Sequence, residues 1–97
     1  MQFLLSAYDG TDDMALERRM RAREEHLAMV QNLKESGNFI WGGAILDDSD
    51  KMVGSVIVYD FESREELENM LKTEPYIKGD VWQNIKIENF RLANIQA

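Results

Sequence analysis

The sequence predicts an α+β fold with the order βαββαβ, a four-stranded antiparallel sheet carrying two helices on one face. Three observations predict it. Short apolar stretches alternate with the two-residue period of strands. Two longer stretches carry helical spacing, and turn or capping residues separate all of them. The 97 residues suit one compact domain, residues 1–97, and no linker, repeat or low-complexity stretch interrupts them.

Gln2 to Tyr8 reads as the first strand, ended by Asp9-Gly10. Thr11, Asp12 and Asp13 supply capping oxygens for a helical pattern that reaches Ser36, and Gly37 is placed to end it. Leu16, Met20, Leu27 and Val30 recur at helical spacing and are the expected buried stripe. Phe39 to Leu46 and Met52 to Asp60 form a hairpin across the acidic loop Asp47-Asp48-Ser49-Asp50. Ser63-Arg64-Glu65-Glu66 is a capping box opening a helix that buries Leu67, Met70 and Leu71. Thr73-Glu74-Pro75-Tyr76 stops that helix, because the residue before a proline disfavours helical geometry. The last strand runs from about Trp82 to Arg91. Right-handed crossovers then set strands one and three side by side, which is a ferredoxin-like arrangement.

The strands are apolar on both faces. Phe3, Leu5 and Ala7 point one way, and Leu4 and Tyr8 the other. In the second strand Phe39 and Trp41 are expected on one face, and Ile40 and Leu46 on the other. In the third, Val56 and Val58 alternate with Ile57 and Tyr59. Helices cover one face only, so the other predicts a homodimer packed sheet on sheet, with a cavity between the sheets or at their edge.

Composition excludes several function classes. Eighteen acidic residues against 11 basic ones leave a net charge of −7, which argues against nucleic acid or an anionic membrane as partner. Arg18, Arg19, Arg21 and Arg23 cluster among acids, a pattern that suits a small anion better than a DNA track. No cysteine means no disulfide, no thiolate catalysis and no cysteine-bound zinc, and a single histidine excludes multi-histidine metal sites. The acidic loop lacks the glycine and distal glutamate of a calcium-binding loop. No metal and no cofactor is expected. The absence of a basic leader and of an apolar run of about 20 residues makes a cytoplasmic location the expectation.

His26 is the side chain whose ordinary pKa range lies near neutrality, and it is the first candidate for proton chemistry. Asp13 to Ser36 as one helix would span about 36 Å, against about 23 Å for a seven-residue strand. A break near Ala22 to Glu24 is therefore expected, with the strand-packed helix starting close to His26. Its start would then lie beside Asp9, the natural carboxylate partner of the imidazole. Arg23 falls within the expected stripe, three residues after Met20 and four before Leu27. It needs a carboxylate (Asp9 or Glu74), a carbonyl array or an anionic ligand. Ser55, after Gly54, is placed to donate to a ligand or to fill a close-packed strand position. Tyr8 and Trp41 could form an aromatic wall, or simply pack.

Taken together, Arg23-Glu-Glu-His26-Leu27, Gly42-Gly43-Ala44, Gly54-Ser55 and Glu74-Pro75-Tyr76 resemble the YciI-like family across nearly the whole chain. Asp9 at the end of the first strand and Asn89-Phe90-Arg91 near the end of the last complete the pattern. The resemblance implies a ferredoxin-like fold that dimerises through its sheets, a dimeric α+β barrel, with an active site built on a histidine–aspartate pair. Most members of the family have no assigned reaction; one relative with a known role is a dehydrochlorinase acting on a chlorinated hydroxyquinol, and muconolactone isomerase shares the wider architecture. Two departures stand out. Family members often carry proline shortly before the histidine, where this chain has Glu24-Glu25, and their usual Asp-Pro-Tyr is Glu74-Pro75-Tyr76 here. Helix two is expected to end away from strand one, so Asp9 ranks ahead of Glu74 as the partner of His26.

Two functions fit these readings. The first is a cofactor-independent lyase or isomerase on a small cyclic or carbonyl compound, with His26 moving a proton, Asp9 or Glu74 orienting it and Arg23 holding an anionic group. The second is a non-catalytic binding or regulatory module, which would tolerate His26→Gln and show ligand-induced stabilisation without turnover.

Overall fold

The computed structural model describes residues 1–95. The elements are β1 (Gln2–Asp9), α1 (Ala15–Glu35), β2 (Phe39–Leu46), β3 (Met52–Asp60), α2 (Arg64–Leu71), the single turn α3 (Pro75–Lys78) and β4 (Trp82–Phe90). The sheet is antiparallel in the order β2-β3-β1-β4. Strands one and three are neighbours, as two crossovers on one face require. The expected strand limits agree with these to within a residue. The turn α3, between the expected second helix and the last strand, is an addition.

Register decides the faces. Phe3 pairs with Tyr59, Leu5 with Ile57 and Ala7 with Ser55, and these residues point toward the helices. Phe3, Leu5, Ile57 and Tyr59 join Leu67, Leu71, Tyr76, Val81 and Trp82 in the core. On the other face Leu4 pairs with Val58, Ser6 with Val56 and Tyr8 with Gly54. Gly54 is required where it stands, because a Cβ there would lie 2.5 Å from the carbonyl oxygen of Ala7.

A bulge corrects one expectation in β2. Phe39 pairs with Tyr59 but Trp41 with Val58, so two residues of β2 oppose one of β3. Phe39 therefore turns inward, edge-on to Tyr59, while Trp41 turns out to the open face.

Helix α1 is continuous, so the expected break at Ala22 to Glu24 does not occur. Its 21 residues span about 32 Å, within a molecule 40 Å long. The segment holds no glycine or proline and consists of good helix formers, so nothing local would break it. The turn α3 extends the platform beneath its middle: a Cβ on Gly79 would touch Ala22 at 3.4 Å. At its start, Asp12 Oδ2 accepts the Met14 N–H and Arg18 Nη1, while its Oδ1 accepts Arg18 Nη2. At its end, Gly37 takes φ +84° while Asn38 and Gly37 N–H donate to the carbonyls of Leu33 and Lys34. That is a Schellman closure, with the glycine one position beyond the cap residue Ser36.

The buried stripe of α1 also differs from the expected one. Leu16, Met20 and Leu27 are 38, 52 and 44% exposed. Ala15, Arg19 and His26 are buried instead, with Ala22 and Leu33 packed against the core. The helix is rotated by about one residue, roughly 100°, from the orientation its apolar residues alone would choose. Two charged or titratable residues can occupy the inner face because each meets a carboxylate there.

Candidate acid–base site

Pro75 organises the first half of the site. It opens α3 at N1 and holds Glu74 extended at φ −68°, ψ 121°, as the residue before a proline prefers. Glu74 is the N-cap residue, and its Oε1 accepts the Tyr76 N–H at 3.0 Å. The same oxygen lies 2.7 Å from His26 Nδ1. A carboxylate accepts, so the proton of this bond belongs on Nδ1. The ring of Tyr76 stacks on the imidazole, with centroids 3.8 Å apart and planes 11° apart, and Trp82 meets it edge-on. Glu74 is fully buried and its Oε2 has no partner among the described residues.

Arg19 organises the second half, two helical turns before His26. Its Nη1 donates to both oxygens of Asp9 at 3.0 Å, and its Nη2 to Ser55 Oγ at 2.9 Å. Ser55 Oγ also accepts the Trp82 indole N–H at 3.1 Å. The guanidinium carbon lies 4.7 Å from the centre of the Tyr76 ring, so Tyr76 touches both halves. Burial pushes the Asp9 carboxyl up from its ordinary range, and the hydrogen bonds and charge of Arg19 pull it back. Burial likewise raises the Tyr76 hydroxyl, opposed by Arg19 and Arg23, so it remains a donor at neutral pH.

The two halves meet at a cavity of about 180 Å³ between α1 and the inner face of β2 and β3. Arg19, Arg23, His26, Ser55 and Tyr76 line it, opposite Gly42-Gly43-Ala44. Among the described residues nothing bonds to His26 Nε2, so the imidazole is held at one nitrogen and free at the other. An imidazole held this way can take or deliver a proton at Nε2.

The sequence-derived candidates divide accordingly. His26, Arg23 and Ser55 line the cavity, and Glu74 is buried behind His26. Asp9, ranked first as the partner of His26, instead holds Arg19, and Glu74 takes the imidazole. The ranking assumed a helix starting near His26. The continuous α1 places Arg19, not His26, at the end of β1, and α3 folds Glu74 back under the helix middle. Arg23 pairs with neither Asp9 nor Glu74 and makes no ion pair with a described residue. Tyr8 is 53% exposed on the open face of the sheet, and it lines a separate depression of about 570 Å³ with Asp12, Asp47 and Lys51. Trp41 shares the open face, so neither residue walls the His26 cavity. Arg19, Tyr76 and Trp82 are the contributors that periodicity missed. Arg19 had a signal, since it stands seven residues before His26 and four after Ala15, on the same side of a continuous helix.

No helix among the described residues is long and apolar enough to cross a membrane. Protein YciI of Escherichia coli O6:H1 is 28% identical over 97 aligned residues, covering 94% of this chain and 97% of that protein. The derivative of benzaldehyde biosynthesis cluster protein C of Emericella nidulans is 36% identical over 70 residues, covering 65% of this chain and 71% of that protein. Among solved structures, the 5-chloro-2-hydroxyhydroquinone dehydrochlorinase of Burkholderia phenoliruptrix AC1100, in complex with 2,5-dihydroxybenzoquinone, has the same fold. It superposes with a TM-score of 0.83 at 24% identity, covering 96% of each chain. A dimeric ferredoxin-like protein from an uncultured marine organism superposes at 0.53 with 15% identity, covering 99% of this chain and 97% of that one. A family model described as a YCII-related domain matches residues 1–91, and the chain belongs to that family.

Proposed function

We propose that this chain is a small cofactor-independent enzyme that moves a proton on a small cyclic or carbonyl compound, in the manner of a dehydrochlorinase or isomerase. The observation that carries the reading is the 2.7 Å contact between His26 Nδ1 and the buried Glu74 carboxylate, with His26 lining the cavity and its Nε2 bonded to no described residue. Glu74 fixes the tautomer and stabilises the imidazolium that forms when Nε2 takes a proton. Arg23, without a counter-ion among the described residues, holds an anionic group of the substrate. Asp9 acts one step back, by holding Arg19 in place.

The same reading has the protein working as a cytoplasmic homodimer. Leu4, Tyr8, Trp41 and Val56 share the sheet face that no helix covers, and Tyr8 and Trp41 are more than half exposed. A dimeric neighbour of the same fold supports it.

The test uses 5-chloro-2-hydroxyhydroquinone as substrate and 2,5-dihydroxybenzoquinone as binding probe, the compounds associated with the dehydrochlorinase neighbour. Chloride release by the wild type that falls by about 10²-fold or more in His26→Gln, with probe binding retained, is the expected result. Unchanged release in His26→Gln would remove the acid–base role.

A further inference from the structure

Tyr59 points inward from β3, fully buried, with Phe39 and Phe61 against its ring. Its hydroxyl makes no hydrogen bond with a described residue, and neither does Glu74 Oε2, which is also fully buried. One is a donor, and the other is a carboxylate oxygen that can only accept. Each is costly to bury alone, and each supplies what the other lacks.

The fold brings the two to one level of the sheet. Arg19 of α1 bonds Ser55 of β3. From there α1 and β3 both run toward the end of the sheet where the Asn38 carbonyl accepts the Asp60 N–H. His26 lies seven residues further along the helix, about 10 Å. Tyr59 lies four residues further along the strand, about 13 Å, on the same face as Ser55. The Glu74 carboxylate, 2.7 Å from His26, therefore stands at the level of the Tyr59 ring. Burial, and then the charge of Glu74, push the Tyr59 hydroxyl well above its ordinary range, so it remains a donor at neutral pH. Arg19 Nε also lacks a partner, but its guanidinium is already bonded to Asp9 and Ser55, two helical turns away.

We propose that Tyr59 is a positioning residue for the His26–Glu74 pair: its hydroxyl donates through one buried water to Glu74 Oε2. A water is required because the two atoms make no direct bond, and between them it gains two polar partners. With Oε2 served, the carboxylate stays ionised and keeps accepting from Nδ1, which leaves Nε2 as the atom that exchanges a proton. The inference deepens the proposed function and rests on it only for the consequence in turnover. When Nε2 releases its proton, the buried pair passes from net neutral to net negative. A donor on Oε2 therefore stabilises the deprotonated pair more than the protonated one.

The experiment follows the ¹⁵N signals of the His26 ring through a pH titration of the wild type and Tyr59→Phe. Arg19, Arg23 and Tyr76, the charged and titratable groups around the pair, are the same in both proteins. The midpoint should rise by about half a unit or more in Tyr59→Phe, because the pair then holds its proton to higher pH. The melting temperature should fall by about 4 °C or more, whereas removing an unbonded buried hydroxyl would raise it. In a Glu74→Met background, Tyr59→Phe should no longer lower it. A crystal structure of the wild type should show one water within hydrogen-bond reach of both atoms, and this stands even where a variant fails to fold. An unshifted midpoint, a higher melting temperature in Tyr59→Phe, or no water between the two atoms overturns the proposal. A shifted midpoint in a protein without turnover would keep the role of Tyr59 while removing the enzymatic reading. Turnover lost in His26→Gln, with an unshifted midpoint in Tyr59→Phe, would do the reverse.

Discussion

Glu74 and His26 are 48 residues apart in sequence and 2.7 Å apart in space, joined through the oxygen that also caps α3. One carboxylate thus holds a backbone turn and a titratable ring together, and the turn cannot shift without moving the ring. The neutral imidazole is expected as the Nδ1–H tautomer, whereas free imidazole side chains favour the other nitrogen. The ¹⁵N shifts of this single histidine report it directly. Glu74→Met should return the ring to the Nε2–H form, and a wild-type ring already in that form would contradict the assignment.

The Arg19–Asp9 pair is buried on both sides, with each side chain 3% exposed. Removing one partner leaves a charge without compensation in the interior. Arg19→Met should destabilise the fold by about 3–5 kcal/mol, and adding Asp9→Asn should restore part of the loss. Urea denaturation of the single and double variants checks this. An Arg19→Met variant as stable as wild type would show that the pair contributes nothing net.

Two glycines of the sheet make opposite predictions. A Cβ on Gly54 would meet the Ala7 carbonyl at 2.5 Å, so Gly54→Ala must push β1 and β3 apart. A cost of about 2 kcal/mol or more is expected, in the range of overpacked interior sites. Gly43 has nothing within 4 Å of its Cβ position, and Gly43→Ala should leave the melting temperature of the protomer nearly unchanged.

The open sheet face carries its own test. Trp41→Lys places charge on a surface that the dimer would bury, without touching the His26 cavity. Sedimentation velocity should show a dimer for the wild type and a monomer for the variant. A wild type that sediments as a monomer at high concentration removes the sheet-to-sheet dimer.

Acid stability should depend on two exposed aspartates. Asp12 is held well below its ordinary range, chiefly by hydrogen bonds from Arg18, and Asp47 below its range by the Lys51 and Ser49 N–H groups. A carboxylate depressed in the folded state contributes stability above its unfolded pKa of about 3.9, and that contribution is lost as pH falls through the folded value. Asp12→Asn and Asp47→Asn should each flatten the decline in stability below about pH 4. Thermal melts across pH 2 to 6 measure it, and an unchanged slope in both variants would contradict the sign.

Local pattern was sufficient for much of this protein. Alternation placed β1 and β3 with their faces correct, the capping box opened α2 with Ser63 Oγ accepting the Glu66 N–H, and Gly37 closed α1. The lone histidine and the carboxylate of Glu74-Pro75-Tyr76 were also visible, because rare residue types and a proline are readable without a fold. Other features depend on contacts between segments. The orientation of α1 follows from charges on its inner face meeting carboxylates 10 and 48 residues away, which outweighed the exposure of Leu16, Met20 and Leu27. The choice of Glu74 over Asp9 depended on a four-residue turn that brings a capping carboxylate under the middle of the helix. The split of Phe39 from Trp41 depended on one extra residue in a strand pairing. The sequence by itself determined the elements and the chemical groups, because periodicity, caps and residue types are local. Only the tertiary structure decided which acid meets which base, because burying a charge is favourable only where its partner is already in place.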